Sequence, residues 1–234
     1  LHALSAFADA LARAGARYPY LFALAPNSGV ATGFDLDGDG LTGTARDAQG
    51  YGDFAGNGGM ALLSRLPIDA IGARDFSGML WRDLPGAQLA ELPEDDSNAI
   101  QRLSSVGHWD VLVILPDGTA LHLLAYHAGT PAFDGPQDRN GKRNSDENAF
   151  WLRYLEGALP WPPPDAPLVI LGDANLDPID GDGKRGAIRA LLEHTDLQDP
   201  QPKSAGAVQA ALAQGGINAR HRGDPALDTA DWRD

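Results

Sequence analysis

Residues 168–175 read LVILGDAN, a nearly apolar run that ends in an acid and an amide two positions apart, Asp173 and Asn175. In an extended segment, residues two apart share a face. A carboxylate placed there can take a proton from water or hold a metal ion. The amide beside it can orient a phosphoryl oxygen or complete the metal's ligand shell. Asp and Asn are also common turn formers, so an ordinary turn after a strand is the competing reading of the same residues. His127 ends a second run of this kind, ALHLLAYH at 120–127. Leu121, Leu123, Ala125 and His127 alternate onto one face of it, and His122, Leu124 and Tyr126 onto the other. A histidine at a strand's end can donate to a developing oxyanion. His122, in mid-strand, reads as a packing residue, and His2, His108, His194 and His221 stand in no recognisable chemical setting.

The run FDLDGDG at 34–40 is the other candidate. Asp35, Asp37, Asp39 and Gly40 match the first, third, fifth and sixth positions of a calcium loop. Its twelfth position is Arg46 instead of Glu, and no helical pattern flanks it, so the expectation is divided between a structural Ca²⁺ site and a solvated acidic loop. The shorter Asp180-Gly-Asp182-Gly reads as a turn. The chain lacks cysteine, which excludes disulfides, thiol nucleophiles and zinc–thiolate sites. It also lacks zinc-type His spacings, a Gly-x-Ser-x-Gly elbow and a phosphate loop.

The elements that must carry these groups mix strands and helices without a regular alternation. Leu4, Phe7 or Ala8, and Leu11 predict an amphipathic helix over 1–14, stopped by Gly15. Strands are expected at 18–25 and 60–68, the second ended by Pro67, with a loop between them. Residues 69–107 read as irregular, with one extended stretch near 73–80. VLVIL at 111–115, PDGT and ALHLLAYH predict a hairpin about a Pro-Asp-Gly turn. Residues 128–144 read as a polar loop and Ser145 as the N-cap of a helix, with Asp146 and Glu147 in its first turn. The apolar run at 168–173 suits a strand covered on both faces. Helices are expected near 187–194 and 207–214.

No repeat or linker divides residues 1–234, which read as one domain. Gly and Pro together make up about 19% of the chain, against roughly 12% on average, and this excess of loops argues against a helix bundle. The net charge of −14 repels nucleic-acid backbones and disfavours a DNA-coating role, though not a metal-bridged contact with one phosphoester. No apolar run has the length of a membrane span. The chain opens on Leu1 with no signal peptide, so it is expected to be a mature product or a piece of a longer one, with a secreted or periplasmic setting favoured.

Together these segments resemble the endonuclease/exonuclease/phosphatase superfamily, the divalent-metal phosphoesterases that include DNase I-like nucleases and neutral sphingomyelinases. GGMALLSRLPI at 58–68 is similar to the superfamily's G-x-A-x-L-S-R-x-P-I strand. LHLLAYHAGTP at 121–131 resembles the strand ending in its first catalytic His, and LGDANLDP at 171–178 its Gly-Asp-x-Asn motif. DGPQDRNGKRNSDENAFW at 134–151 looks like the Arg-Asn and acidic stretch opening its next helix. The resemblance implies a four-layer α-β-β-α sandwich: two mixed sheets face to face, helices outside, and the site at the strand rims. It implies that His127 binds the scissile phosphate, that Asp173 contacts the attacking water or a metal-bound hydroxide, and that Asn175 orients both. Asn57 is a further phosphate contact. Mg²⁺ or Mn²⁺, or Ca²⁺, is the implied cofactor, and the substrate is a nucleic acid, a phospholipid head group or a small phosphate ester. No protein partner is evident. His127, Asp173 and Asn175 are expected to meet in one cleft, with side-chain ends on the order of 5–8 Å apart.

The superfamily also opens with a strand carrying Asn and a strand ending in the metal-holding Glu. It closes with an Asp-bearing strand and an Asp-His pair. None of these is recognisable here. The expectation is therefore a central part lacking both ends, with the principal Mg²⁺ ligand outside the chain. Such a piece would be defective alone, and its longer parent active. A non-catalytic, calcium-stabilised binding module on the same fold is the alternative from another functional class.

Overall fold

The computed structural model describes residues 2–91 and 96–229. Helix α1 (His2–Arg13) leads to strand β1 (Tyr20–Phe22), which pairs antiparallel with β2 (Leu62–Ser64). A four-stranded sheet is built from β3 (Ile68–Asp75), β4 (Gly107–Ile114), β5 (Ala120–His127) and β6 (Leu168–Asp173), in that spatial order. The hairpin β4–β5 forms where the alternation and the Pro-Asp-Gly turn predict it. Leu115 and Thr119 close the turn by a backbone bond of 2.8 Å, the Asp117 carboxylate accepts from the Thr119 N–H, and Gly118 supplies a φ of +87°. β5 and β6 run parallel, joined by a crossover through helix α2 (Arg139–Leu155). Helices α3 (Gly186–Leu192) and α4 (Ala205–Gln214) follow.

The alternation along β5 separates two cores. Leu124 and Tyr126 face Phe150, Trp151 and Tyr154 of α2, with Ile188 and Leu191 of α3 in the same cluster. On the opposite face Leu123 joins Trp109 and Val111 of β4 beneath Phe22, whose ring meets Trp109 edge-on at 5.7 Å. Burying side chains of this size is worth about 1.5–3 kcal/mol each. The four-stranded sheet thus lies between a helical layer and a second sheet, the two-sheet α/β class expected.

Several details differ from the sequence reading. The smaller sheet is purely antiparallel, and only the larger is mixed. The run at 60–68 is not one strand: β2 stops at Ser64 and β3 starts at Ile68 in the other sheet. Pro67 stands at the crossing, where it has no N–H to leave unpaired and its carbonyl accepts from Ile114. β3 therefore occupies part of the segment expected to be irregular. It is interrupted between Asp69 and Arg74, where the Asp69 carboxylate caps the N–H groups of Ile71 and Gly72. Among the described residues β6 is an edge strand with Val169 44% exposed, not a strand covered on both faces, because the short β1–β2 pair does not extend over it. Helix α2 begins six residues before Ser145, which is buried in mid-helix. Among the described residues no helix is long and apolar enough to cross a membrane.

Candidate functional site

The C-terminal ends of β5 and β6 lie side by side, with His127 and Asp173 in register. His127 Nε2 stands 3.8 Å from Asp173 Oδ2, closer than the separation expected from sequence. The two side chains are 33% and 47% exposed, so the pair faces solvent at the sheet's rim. At this distance there is no direct hydrogen bond, and a small polar group such as a phosphate can reach both side chains. Gly172 makes the approach possible. Its φ is +141°, and a Cβ there would lie 1.8 Å from the Tyr126 carbonyl oxygen, so any side chain would push β6 off β5.

Asn175 completes the rim. It adopts left-handed backbone, φ 48°, which Asn tolerates better than most residues. Its N–H donates to Asp173 Oδ1 at 2.8 Å, and its side-chain amide donates to the Ala128 carbonyl at 2.7 Å. Asn175 thus holds the Asp173 carboxylate and ties the two strand ends together. Asn57 is placed differently. Its Oδ1 accepts from Asp53 N–H at 3.2 Å within its own loop, and among the described residues no hydrogen bond links it to His127, Asp173 or Asn175.

Asp35, Asp37 and Asp39 can bring one oxygen each to within 4.8 Å of one another, and all three are exposed. The loop is already satisfied in part. Asp35 accepts from the N–H groups of Gly38, Asp39 and Gly40, and Arg46, at the twelfth position, sets its guanidinium 3.6 Å from Asp37. Among the described residues this is the one group of three such ligands, so the rim at Asp173 has no comparable cluster.

Sequence reasoning missed the polar face of α2. Arg143, Asn144, Glu147 and Asn148 are buried, and each bonds to loops at the rim. Glu147 accepts from Ser105 N–H at 2.5 Å and from Gly129 N–H at 2.7 Å. Asn144 donates to the carbonyls of Gly129 and Ala174 at 2.7 and 2.9 Å. Arg143 donates to the carbonyls of Gln49, Arg102, Leu103 and Ser104. Asp146, expected in the first turn of a helix capped by Ser145, lies in mid-helix and accepts from the Trp81 indole and from Gln88. The available signal was the i, i+4 spacing of Arg143 with Glu147 and of Asn144 with Asn148, a stripe that a polar loop does not need.

His108 is fully buried under this helix, its Nδ1 2.7 Å from Ser104 Oγ and its Nε2 3.0 Å from the Glu147 carbonyl oxygen. A carbonyl accepts only, so Nε2 carries the proton and Nδ1 accepts from the serine. Burial pushes His108 down to about 4, so it stays neutral. Between pH 6.5 and about 4 the unfolded chain takes up a proton that the native chain refuses, and stability falls with acid by about 3 kcal/mol. Burial pushes Glu147 the other way, to about 7, against the pull of Arg143 and the N–H donors. Its contribution is full below pH 4.5 and is lost as pH rises through about 7, so the two slopes oppose. Urea midpoints between pH 7 and 4 should therefore show a shallower acid limb in His108→Gln than in the unmutated protein, with Glu147 common to both. Parallel limbs would contradict it.

A family model matches residues 3–233, and its description is the Endonuclease/Exonuclease/phosphatase family. No curated protein gives a significant match. Among solved structures, the chain resembles sphingomyelinase C from Streptomyces griseocarneus at 20% identity and a TM-score of 0.42, over 83% of this chain and 54% of that one. The chain thus spans about half the length of that protein. The family match takes in all three motif segments and the helix between them, and the chain belongs to the Endonuclease/Exonuclease/phosphatase family.

Proposed function

We propose that this chain carries the phosphate-binding and water-activating part of a divalent-metal-dependent phosphoester hydrolase. The observation that supports the reading is the approach of His127 Nε2 to Asp173 Oδ2 at 3.8 Å on adjacent strand ends. A phosphoester seated at this rim would meet the imidazole and the carboxylate together. In this reading His127 donates to a non-bridging phosphoryl oxygen as charge develops on it, and Asp173 takes the proton of the attacking water. Asn175 keeps the carboxylate aimed and its own amide committed to Ala128. Asn57 is proposed as a further phosphate contact. Mg²⁺ or Mn²⁺ would neutralise the phosphoryl group. Asp173 would offer such an ion a carboxylate oxygen, with water, substrate or further residues supplying the rest. The substrate class is a phosphodiester of a nucleic acid, a phospholipid head group or a small ester.

The test is hydrolysis of a chromogenic phosphodiester with Mg²⁺ or Mn²⁺, by this chain and by a longer protein that contains it. Turnover by the longer protein and little by the chain is the expected result. Comparable turnover by both would place the whole site within these 234 residues. No turnover by either, with a folded protein, would favour a binding module.

Asp35, Asp37 and Asp39 are proposed to take Ca²⁺, which is expected to raise the melting temperature relative to chelator. The gain is about 2.7 kcal/mol at a hundredfold excess over Kd. The Arg46 guanidinium already offsets part of the loop's charge, so Asp37→Asn should shrink the difference and Arg46→Glu enlarge it. Identical melting curves with Ca²⁺ and with chelator would dispose of the site.

A further inference from the structure

The spacing of His127 and Asp173 depends on how two strand ends are held. β6 has a ladder on one side only, since among the described residues no strand pairs with its other edge. At the rim the ladder's last bond is Ala128 N–H to the Asp173 carbonyl, 2.9 Å, and beyond it the chains diverge into loops. Past that bond the separation of the two strand ends is set by whatever holds the two loops.

That restraint comes from α2. Asn144 is fully buried and spends both amide protons on two different loops, one to Gly129, two residues after His127, and one to Ala174, next to Asp173. Its orientation is unambiguous, because turning the amide over would set its oxygen against two carbonyl oxygens. Asn148 supports it, donating to the Asn144 carbonyl at 2.9 Å and to Ala174 at 3.3 Å, while the Tyr126 hydroxyl donates to Asn148 Oδ1 at 2.8 Å. Burial pushes the Tyr126 hydroxyl up, so it remains a donor. We propose that Asn144 is a positioning residue: by bridging the carbonyls of Gly129 and Ala174 from below, it sets the separation of His127 and Asp173. The inference rests on the reading of the rim as a phosphoester-hydrolysing site. Asn144 touches no reacting atom in that reading and acts through the two strand ends.

The test compares Asn144→Ala with the unmutated protein, in the longer hydrolytically active form, by steady-state kinetics on a phosphodiester and by amide hydrogen exchange. Tyr154→Phe is the control, since it removes a bond to Asp110 at the far end of the same helix and leaves the rim untouched. The expected result for Asn144→Ala is a fall in kcat on the order of 10²-fold with KM within about threefold, as for a small misplacement of reacting groups. The amides of Ala128 and Asn175 should exchange about tenfold faster or more, while those inside the β4–β5 ladder keep their protection. Tyr154→Phe should lower the melting temperature without either change. If Asn144→Ala does not fold, Asn144→Ser, which keeps one donor, is read the same way, with smaller effects expected. Unchanged kcat in a folded variant, or rim amides exchanging no faster than before, would overturn the proposal. The exchange measurement does not need catalysis: faster rim exchange in a protein that never hydrolyses the ester upholds the clamp and rejects the hydrolase.

Discussion

In the longer protein, where Asp173 is proposed above as the base, Asp173→Asn is expected to lower phosphodiester turnover by roughly 10²–10⁴-fold, the range for loss of a general base. The substitution keeps the shape of the side chain and an oxygen to accept the Asn175 N–H, which now bonds at 2.8 Å. It removes the negative charge that faces His127 at 3.8 Å. The side chain is 47% exposed, so stability should change by no more than about 0.5 kcal/mol, and the melting temperature serves as the control. His127→Gln should reduce turnover too. Because His127 and Asp173 act on the phosphoryl oxygen and the water of one transition state, the double variant should lose less than the product of the two single losses, as for residues that act as a unit. Turnover by Asp173→Asn within about tenfold of the unmutated protein would remove Asp173 from the chemistry.

Glu147→Gln is expected to lower stability by about 1–3 kcal/mol at pH 8, where the carboxylate is ionised and Gln leaves one buried donor facing another. Glu147 is fully buried, and its oxygens meet only donors: Ser105 N–H and O–H, and Gly129 N–H. Gln presents one acceptor and one NH₂ group to that set, so a donor faces a donor. Arg143, whose own bonds all go to carbonyls, loses the nearby carboxylate that balances it. For a chain of this size each kcal/mol is about 2–4 °C of melting temperature, so the predicted drop is large enough to read in a single scan. A change under about 1 kcal/mol would mean that the rim loops are held by something other than this carboxylate.

By itself the sequence determined the pieces whose causes are local. The hairpin of β4 and β5 follows from alternation and a turn in which Asp117 and Gly118 have defined jobs within four residues. The helices at the start of the chain and at 186–192 follow from apolar spacing, and His127 and Asp173 were legible as polar groups terminating apolar strands. The joint order of the motif segments was enough to show the resemblance to the family. Tertiary structure alone decided which strand end lies beside which. His127 and Asp173 are 46 positions apart in sequence, and only the crossover through α2 brings them into parallel register. It also decided that Pro67 marks a change of sheet and that β6 stands at an edge, since both depend on where other strands lie. The clearest case is 139–148, a run of mostly polar residues that reads as loop and helix cap. It is a helix whose polar side chains are buried, because their partners are the backbones of Gln49, Ser105, Gly129 and Ala174. Burying a polar group is tolerable only when a bond replaces the lost water. The i, i+4 spacing could signal the helix, but the partners of its polar face come from segments far away in sequence and only the tertiary structure names them.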